Sequence, residues 1–289
     1  MNNPDDPEDA GVSLPGGVPL EAEAPAPSPP ADPRDAGKSQ QKEPPKPIPI
    51  VLTFDDGPHA ASGEGVKNYT IDIATLLKSR NIVGAFFIQT HVTHRFGIAA
   101  GKDVIKRVSD LGHVIAIHTG SDDDHASHTK RVAAPAYDVD GDKKPDGMNG
   151  LESDLIRAKS QIQKVLGGNA PSFVRAVGLA RNEAVNNTYS RVGLKHIGVN
   201  VDSKDNEPPR PTSQVVMRTL ESGRQSVGAA IKAGAPHLIV LFHDINNTTA
   251  ASTGTYIDTI TAAVKAAGRT PEFTGSTKAV MDIFLATKV

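Results

Sequence analysis

The chain has 289 residues, a formal net charge of −2 and no cysteine. That length suits one large domain or two small ones, and a near-neutral charge without a basic run gives nucleic acid no footing. The apolar stretches are strand-length rather than membrane-spanning, and the lack of cysteine removes disulfides and thiolate ligands, leaving His, Asp and Glu as the strong metal donors.

Residues 1–47 hold more than half of the 22 prolines, together with Ala, Asp, Glu and Ser, and the first aromatic residue is Phe54. Such a segment cannot bury enough apolar surface to offset the entropy of ordering it, so a disordered, extended linker with polyproline II character is expected over 1–47. No stretch with a charged start and an apolar core precedes it. A Pro-rich spacer ahead of a folded domain suits a tethered cell-envelope protein. The expectation is a periplasmic or extracellular location with a signal peptide removed.

One α/β domain is expected over 48–289. Strand-length runs at Ile48–Phe54, Val83–Ile88, His113–His118, Phe173–Val177, Ile197–Val201, Leu238–Phe242 and Glu272–Thr274 alternate with helix-period stretches at Ile71–Arg80, Asp103–Leu111, Leu151–Leu166 and Ala229–Ala233. This alternation predicts a parallel sheet. Seven strands in a chain of this size suit an irregular (β/α) barrel better than an open sheet.

The polar residues fall where such a barrel builds its chemistry. The first run ends in Asp55-Asp56-Gly57-Pro58, the third in His118, and the sixth in His243-Asp244; the fourth contains Arg175, and the fifth leads into Asp202 and Asp205. The C-terminal ends of parallel barrel strands share one face, so these groups would meet at one rim. Singly, each has a plainer reading. Asp-Asp-Gly-Pro makes a β-turn, and His118 or His243 could be a satisfied core histidine. Together they point to a cation, because adjacent carboxylates at the end of a buried strand are costly without one.

These residues carry a resemblance. Thr53-Phe54-Asp55-Asp56-Gly57-Pro58 and Leu241-Phe242-His243-Asp244 resemble the first and last motifs of the polysaccharide deacetylase family, the NodB-homology domain of carbohydrate esterase family 4. The resemblance implies Asp55 as catalytic base and Asp56 as a metal ligand. The family's second motif, His-Ser/Thr-x-x-His, begins as His118-Thr119, but Asp122 stands four residues along. A three-residue insertion would make His125 the other histidine ligand, with His128 or Asp122 as alternatives. Of the third motif, Arg-x-Pro-Tyr, only Arg175 remains, followed by Ala176, Val177 and Gly178. Arg175 would orient Asp55, and the Gly178 backbone N–H would help to hold an oxyanion. The fourth motif reads Asp202-Ser203-Lys204-Asp205-Asn206, so Asp205 would support the catalytic His243 while a tryptophan is replaced by Asn206. Two aromatic walls of the sugar groove are therefore missing.

The resemblance implies a metal-dependent hydrolase that removes acetyl groups from a polysaccharide. N-acetylglucosamine residues of peptidoglycan or a related envelope glycan are the expected target. One divalent cation is expected, zinc before nickel, cobalt or iron, with His243 as general acid and Leu241 lining the acetyl pocket. The altered motifs leave room for a second reading, a weak or inactive carbohydrate-binding protein on the same fold. The alternating acids Asp138, Asp140, Asp142 and Asp146 suggest a structural calcium loop or a solvated insertion. His59, just after the first motif, is a candidate substrate contact. No partner chain is signalled, so a monomer is expected.

Overall fold

A computed structural model describes residues 44–60, 68–90, 98–121, 125–136, 148–206 and 212–288. Residues 1–43 of the expected linker, the expected calcium loop Asp138–Asp146 and Asp122 lie outside them. The chain is already a strand at Pro47, next to the expected boundary, and Arg269 and Thr270 donate to the carbonyls of Lys46, Pro47 and Pro45.

The elements follow in the order β1 Pro47–Asp55, α1 Tyr69–Ser79, β2 Ala85–Gln89, α2 Ile98–Asp110, β3 Val114–Thr119, α3 His128–Arg131, α4 Gly150–Val165, β4 Phe173–Val174, α5 Glu183–Val192, β5 Lys195–His196, β6 Val201–Asp202, α6 Thr212–Lys232, β7 Leu238–His243, α7 Asn247–Ala266, β8 Thr270–Phe273 and α8 Thr277–Ala286. The strands form a curled parallel sheet in the order β5-β4-β3-β2-β1-β7-β6, a seven-stranded half-barrel, with β8 pairing the first half of β1. The Ile197–Val201 run, expected as one strand, is mostly a connection between two short ones, β5 ending just before it and β6 beginning at Val201. β5 pairs β4 and β6 pairs β7, so the two ends of the hydrogen-bonded path meet in sequence without pairing among the described residues.

Strand periodicity sorts the core into two layers. On β1, Ile48, Ile50, Leu52 and Phe54 pack outward under the helices, with Ile73, Leu77, Tyr256 and Ile260 among their cluster. Val51 faces the concave side with Ala85, Phe87, Val114, Ala116, Phe173 and Ile239, where Val280 and Phe284 of α8 fill the bottom. Each fully buried aliphatic or aromatic side chain contributes about 1.5–3 kcal/mol. The helices are stopped and started by ordinary caps: Asn68, Asn149, Asn182 and Ser276 accept the N–H groups of Ile71, Glu152, Val185 and Ala279. The concave face matters for function because stepping along it by twos leads to Asp55, Gln89, His118 and His243.

Candidate active site

β1 and β7 run in register, Thr53 opposite Leu241 and Asp55 opposite His243. Burial of the apolar residues on either side therefore brings the two strand ends together. Arg175, just past β4, is fully buried and reaches across the concave face. Its Nη1 donates to Asp55 Oδ1 and to Thr53 Oγ1, each at 2.8 Å, and its Nε donates to the Ile197 carbonyl. The guanidinium lies 4.0 Å over the Phe87 ring, a cation–π contact. Burial lowers the Arg175 pKa and the Asp55 charge opposes that shift; a guanidinium keeps its proton in such a setting. Asp55 is thus held at one oxygen by a buried cation while the other lies 3.9 Å from His118 Nδ1.

Asp56 turns out of β1 in the left-handed region, φ 74. Its Oδ1 lies 3.2 Å from His118 Nε2 and 2.8 Å from His125 Nε2. Burial raises the Asp56 pKa, but its bonds to His118 and His125 and the histidine charges outweigh that and hold it well below the usual carboxylate range. His118 Nδ1–H donates to the Arg175 carbonyl at 3.0 Å, which leaves Nε2 as the ring's acceptor atom facing Asp56. Two acceptors at 3.2 Å require a proton or a cation between them.

Among the described residues no three His, Asp or Glu side chains form a ready-made metal cage. The chemistry of the donors nevertheless fits a divalent ion. Bonds of about 2.0–2.2 Å in tetrahedral array space the ligand atoms by roughly 3.3–3.6 Å, wider than the contacts of 3.2 and 2.8 Å at Asp56. His125 is carried by a turn at φ 50 and is 41% exposed along its side chain, so it has room to shift. His128 does not face these donors. It is buried, its Nε2–H donates to the His118 carbonyl at 2.9 Å, and Tyr189 Oη donates to its Nδ1 at 2.6 Å. Burial pushes its pKa down to about 3, so the ring is neutral.

Asp205 supports His243 from behind. Its Oδ1 accepts His243 Nδ1–H at 2.7 Å, and its Oδ2 accepts the His243 backbone N–H and the Thr249 hydroxyl. Burial alone would lower the His243 pKa. The Asp205 hydrogen bond and the charges of Asp205, Asp56 and Asp55 outweigh it and push the imidazole up to about 9. His243 therefore carries a proton at neutral pH.

These groups open on one cleft of about 350 Å³, lined also by Ala176, Val177, Gly178, Leu179, Leu241 and the Asp202–Lys204 ion pair, a size suited to a small ligand or one sugar unit. Among the described residues no Phe, Tyr or Trp lines it. Gly178 sits in a 3-10 turn, Val177–Leu179, at φ 62. His59 is stacked on Tyr69, and its Nδ1 accepts the Tyr69 N–H.

Strand runs and motifs assign no role to three residues of the site, although Thr53 and Asp244 stand inside those motifs. Thr53 is a buried hydroxyl inside an apolar strand. Gln89 is the first polar residue after the Val83–Ile88 run, on the face of Ala85 and Phe87; asking what ends each strand on the concave face would have found it. Asp244 is fully buried, accepts the Thr70 hydroxyl at 2.6 Å, and is pushed up to about 7 by burial and the nearby Asp56 and Asp55 charges, against the Thr70 bond. Gly57 makes room for it, since a Cβ there would lie 2.2 Å from Asp244 Oδ2.

The sequence profile of the family described as polysaccharide deacetylase matches residues 42–197, more than half the chain. A chitin deacetylase of Arthroderma benhamiae is 26% identical over 202 residues, covering 69% of this chain and 44% of the relative. A chitin deacetylase of a Pestalotiopsis species is 26% identical over 227 residues, covering 78% and 62%. The chain thus spans less than two thirds of the length of either. The solved chitin deacetylase of Colletotrichum lindemuthianum superposes with a TM-score of 0.54 at 22% identity, over 78% of this chain and 85% of that one; at that identity the match bears on fold.

Proposed function

This chain belongs to the polysaccharide deacetylase family, and from that premise we propose that it is a metal-dependent hydrolase removing acetyl groups from an N-acetylglucosamine polymer, peptidoglycan or a related envelope glycan. The observation that carries this reading is the convergence of the Arg175–Asp55 pair, the Asp56, His118 and His125 donors and the Asp205–His243 pair on a single cleft. The fungal relatives named for chitin support the same acetamido chemistry. The proposed setting is the cell envelope or its exterior; among the described residues no helix is long and apolar enough to cross a membrane.

Asp56, His118 and His125 would hold one divalent cation, zinc foremost, which when bound acidifies water and polarises an acyl carbonyl. Asp55, oriented at Oδ1 by Arg175, offers its other oxygen as general base to the attacking water. The Gly178 N–H assists at the oxyanion. His243 donates its Nε2 proton to the departing amine, and Asp205 holds the ring at Nδ1 so that Nε2 faces the cleft. Leu241, on the same strand face two residues before His243, contacts the acetyl methyl. In place of aromatic stacking, Val177, Leu179 and the Asp202–Lys204 pair form the cleft wall.

The test is acetate release from peptidoglycan and from chitooligosaccharides by the purified chain, before and after chelator treatment and zinc add-back. Release that stops with chelator and returns with metal is expected. Absence of release from every acetylated glycan, with metal stoichiometrically bound, would sink the enzyme reading.

A further inference from the structure

Gln89 closes β2, is fully buried, and has no part in the chemistry described above. The pairing of β2 with β3 slips at this residue: Ile88 pairs Ile117, whereas Gln89 pairs Thr119, passing over His118. An irregularity of this kind re-aims the side chain at a strand end. Here it delivers a carboxamide to Asp56. Gln89 Nε2 lies 3.3 Å from the Asp56 carbonyl, 3.3 Å from Asp56 Oδ1 and 3.3 Å from His125 Nε2. The backbone N–H of the same residue donates to the Gly57 carbonyl at 2.8 Å. One residue thus grips Asp56-Gly57 by main chain and side chain together.

The amide orientation follows from its neighbours. The Asp56 carbonyl and carboxylate only accept, so Gln89 must present its NH2 to them; turned over, Oε1 would face two oxygens. Among the described residues Oε1 is buried with no partner. An apolar side chain of the same size would fill this place without stranding an acceptor, so packing does not account for an amide here. Asp56 itself sits at φ 74, a conformation that a non-glycine residue keeps only where its surroundings over-determine it.

We infer that Gln89 is a positioning residue for Asp56. It pins the left-handed Asp56-Gly57 turn and directs Oδ1 toward His118 and His125, so the donors are assembled before a cation arrives. The inference rests on the metal-dependent reading above. The probe is Co²⁺ alone, titrated into the chelator-stripped full chain and followed by calorimetry and visible absorption. Gln89→Met keeps volume and removes the side-chain donors. Its Co²⁺ affinity should fall by about 10–100-fold, as for other residues that orient metal ligands, while the unfolding midpoint of the metal-free protein holds and raised metal restores turnover. Gln89→Asn keeps the amide but shortens its reach, and should fall in the same direction. Unchanged Co²⁺ affinity in either folded variant would overturn the inference alone. Failure of both variants to fold would make Gln89 a core residue and overturn it too. If the parent chain takes up no Co²⁺, the metal-dependent reading falls and this inference with it.

Discussion

The strand-end pairs and the loop-borne donor are built on different terms. Asp55 with Arg175, and Asp205 with His243, sit on or beside strand ends, are buried, and meet several fixed partners each. His125 stands on a turn beyond β3, in a left-handed conformation, with a side chain 41% exposed. It meets Asp56 from outside the strands. The groups proposed for proton transfer are therefore set by the packing of the sheet, while one proposed cation donor, His125, stands on a turn outside the strands. The departures from the family motifs follow this division: they fall after His118, after Arg175 and at Asn206, on connections and rims, while Asp55, Asp56 and His243 stand where strands end.

Substitutions on the two sides should part company. Asp55→Asn removes the proposed general base, and kcat for acetate release should fall by about 10²–10⁴-fold while the purified variant still binds metal in full; near-normal turnover would refute the base assignment. Arg175→Ala leaves the Asp55 carboxylate buried without its cation, and chemical denaturation should register a loss of about 3–5 kcal/mol. A loss no larger than a surface substitution would mean that the pair does not brace the rim. His125→Ala should behave oppositely. Its unfolding free energy should move by no more than about 0.5 kcal/mol, yet calorimetry should show a marked drop in metal affinity. If stability and affinity fall together there, the contrast between the two regions is false.

Asp205→Asn should act through the pH dependence of the rate. His243 is raised from 6.5 to about 9, so its acid role persists below that value and is lost as pH rises through it. The stability contributed by the pair has the same sign: complete below the ordinary histidine range and lost as pH rises through about 9. Removing the Asp205 charge should move the alkaline limb of the rate profile down toward the ordinary histidine range. An unmoved limb would assign that titration to another group.

Much of this was legible along the chain. Apolar runs predict strands because alternation and burial are local properties, and a polar residue at the end of a run in a parallel β/α chain must lie on the common rim. That reasoning reaches Asp55, Asp56, His118 and His243 without coordinates. It reaches no role for Gln89: the position after Ile88 marks a strand end on the concave face, but only the register slip with β3 shows that the amide meets Asp56. Nor does spacing separate His125 from His128: only packing shows one ring beside Asp56 and the other enclosed between the His118 carbonyl and Tyr189. The meeting of Arg175 with Asp55, 120 positions apart, and the division of the Ile197–Val201 region between the two ends of the sheet were likewise decided by the curling of the sheet. Periodicity records which face of an element is buried; which distant groups then touch depends on the curl and register of the sheet, and these emerge only when all its strands are packed.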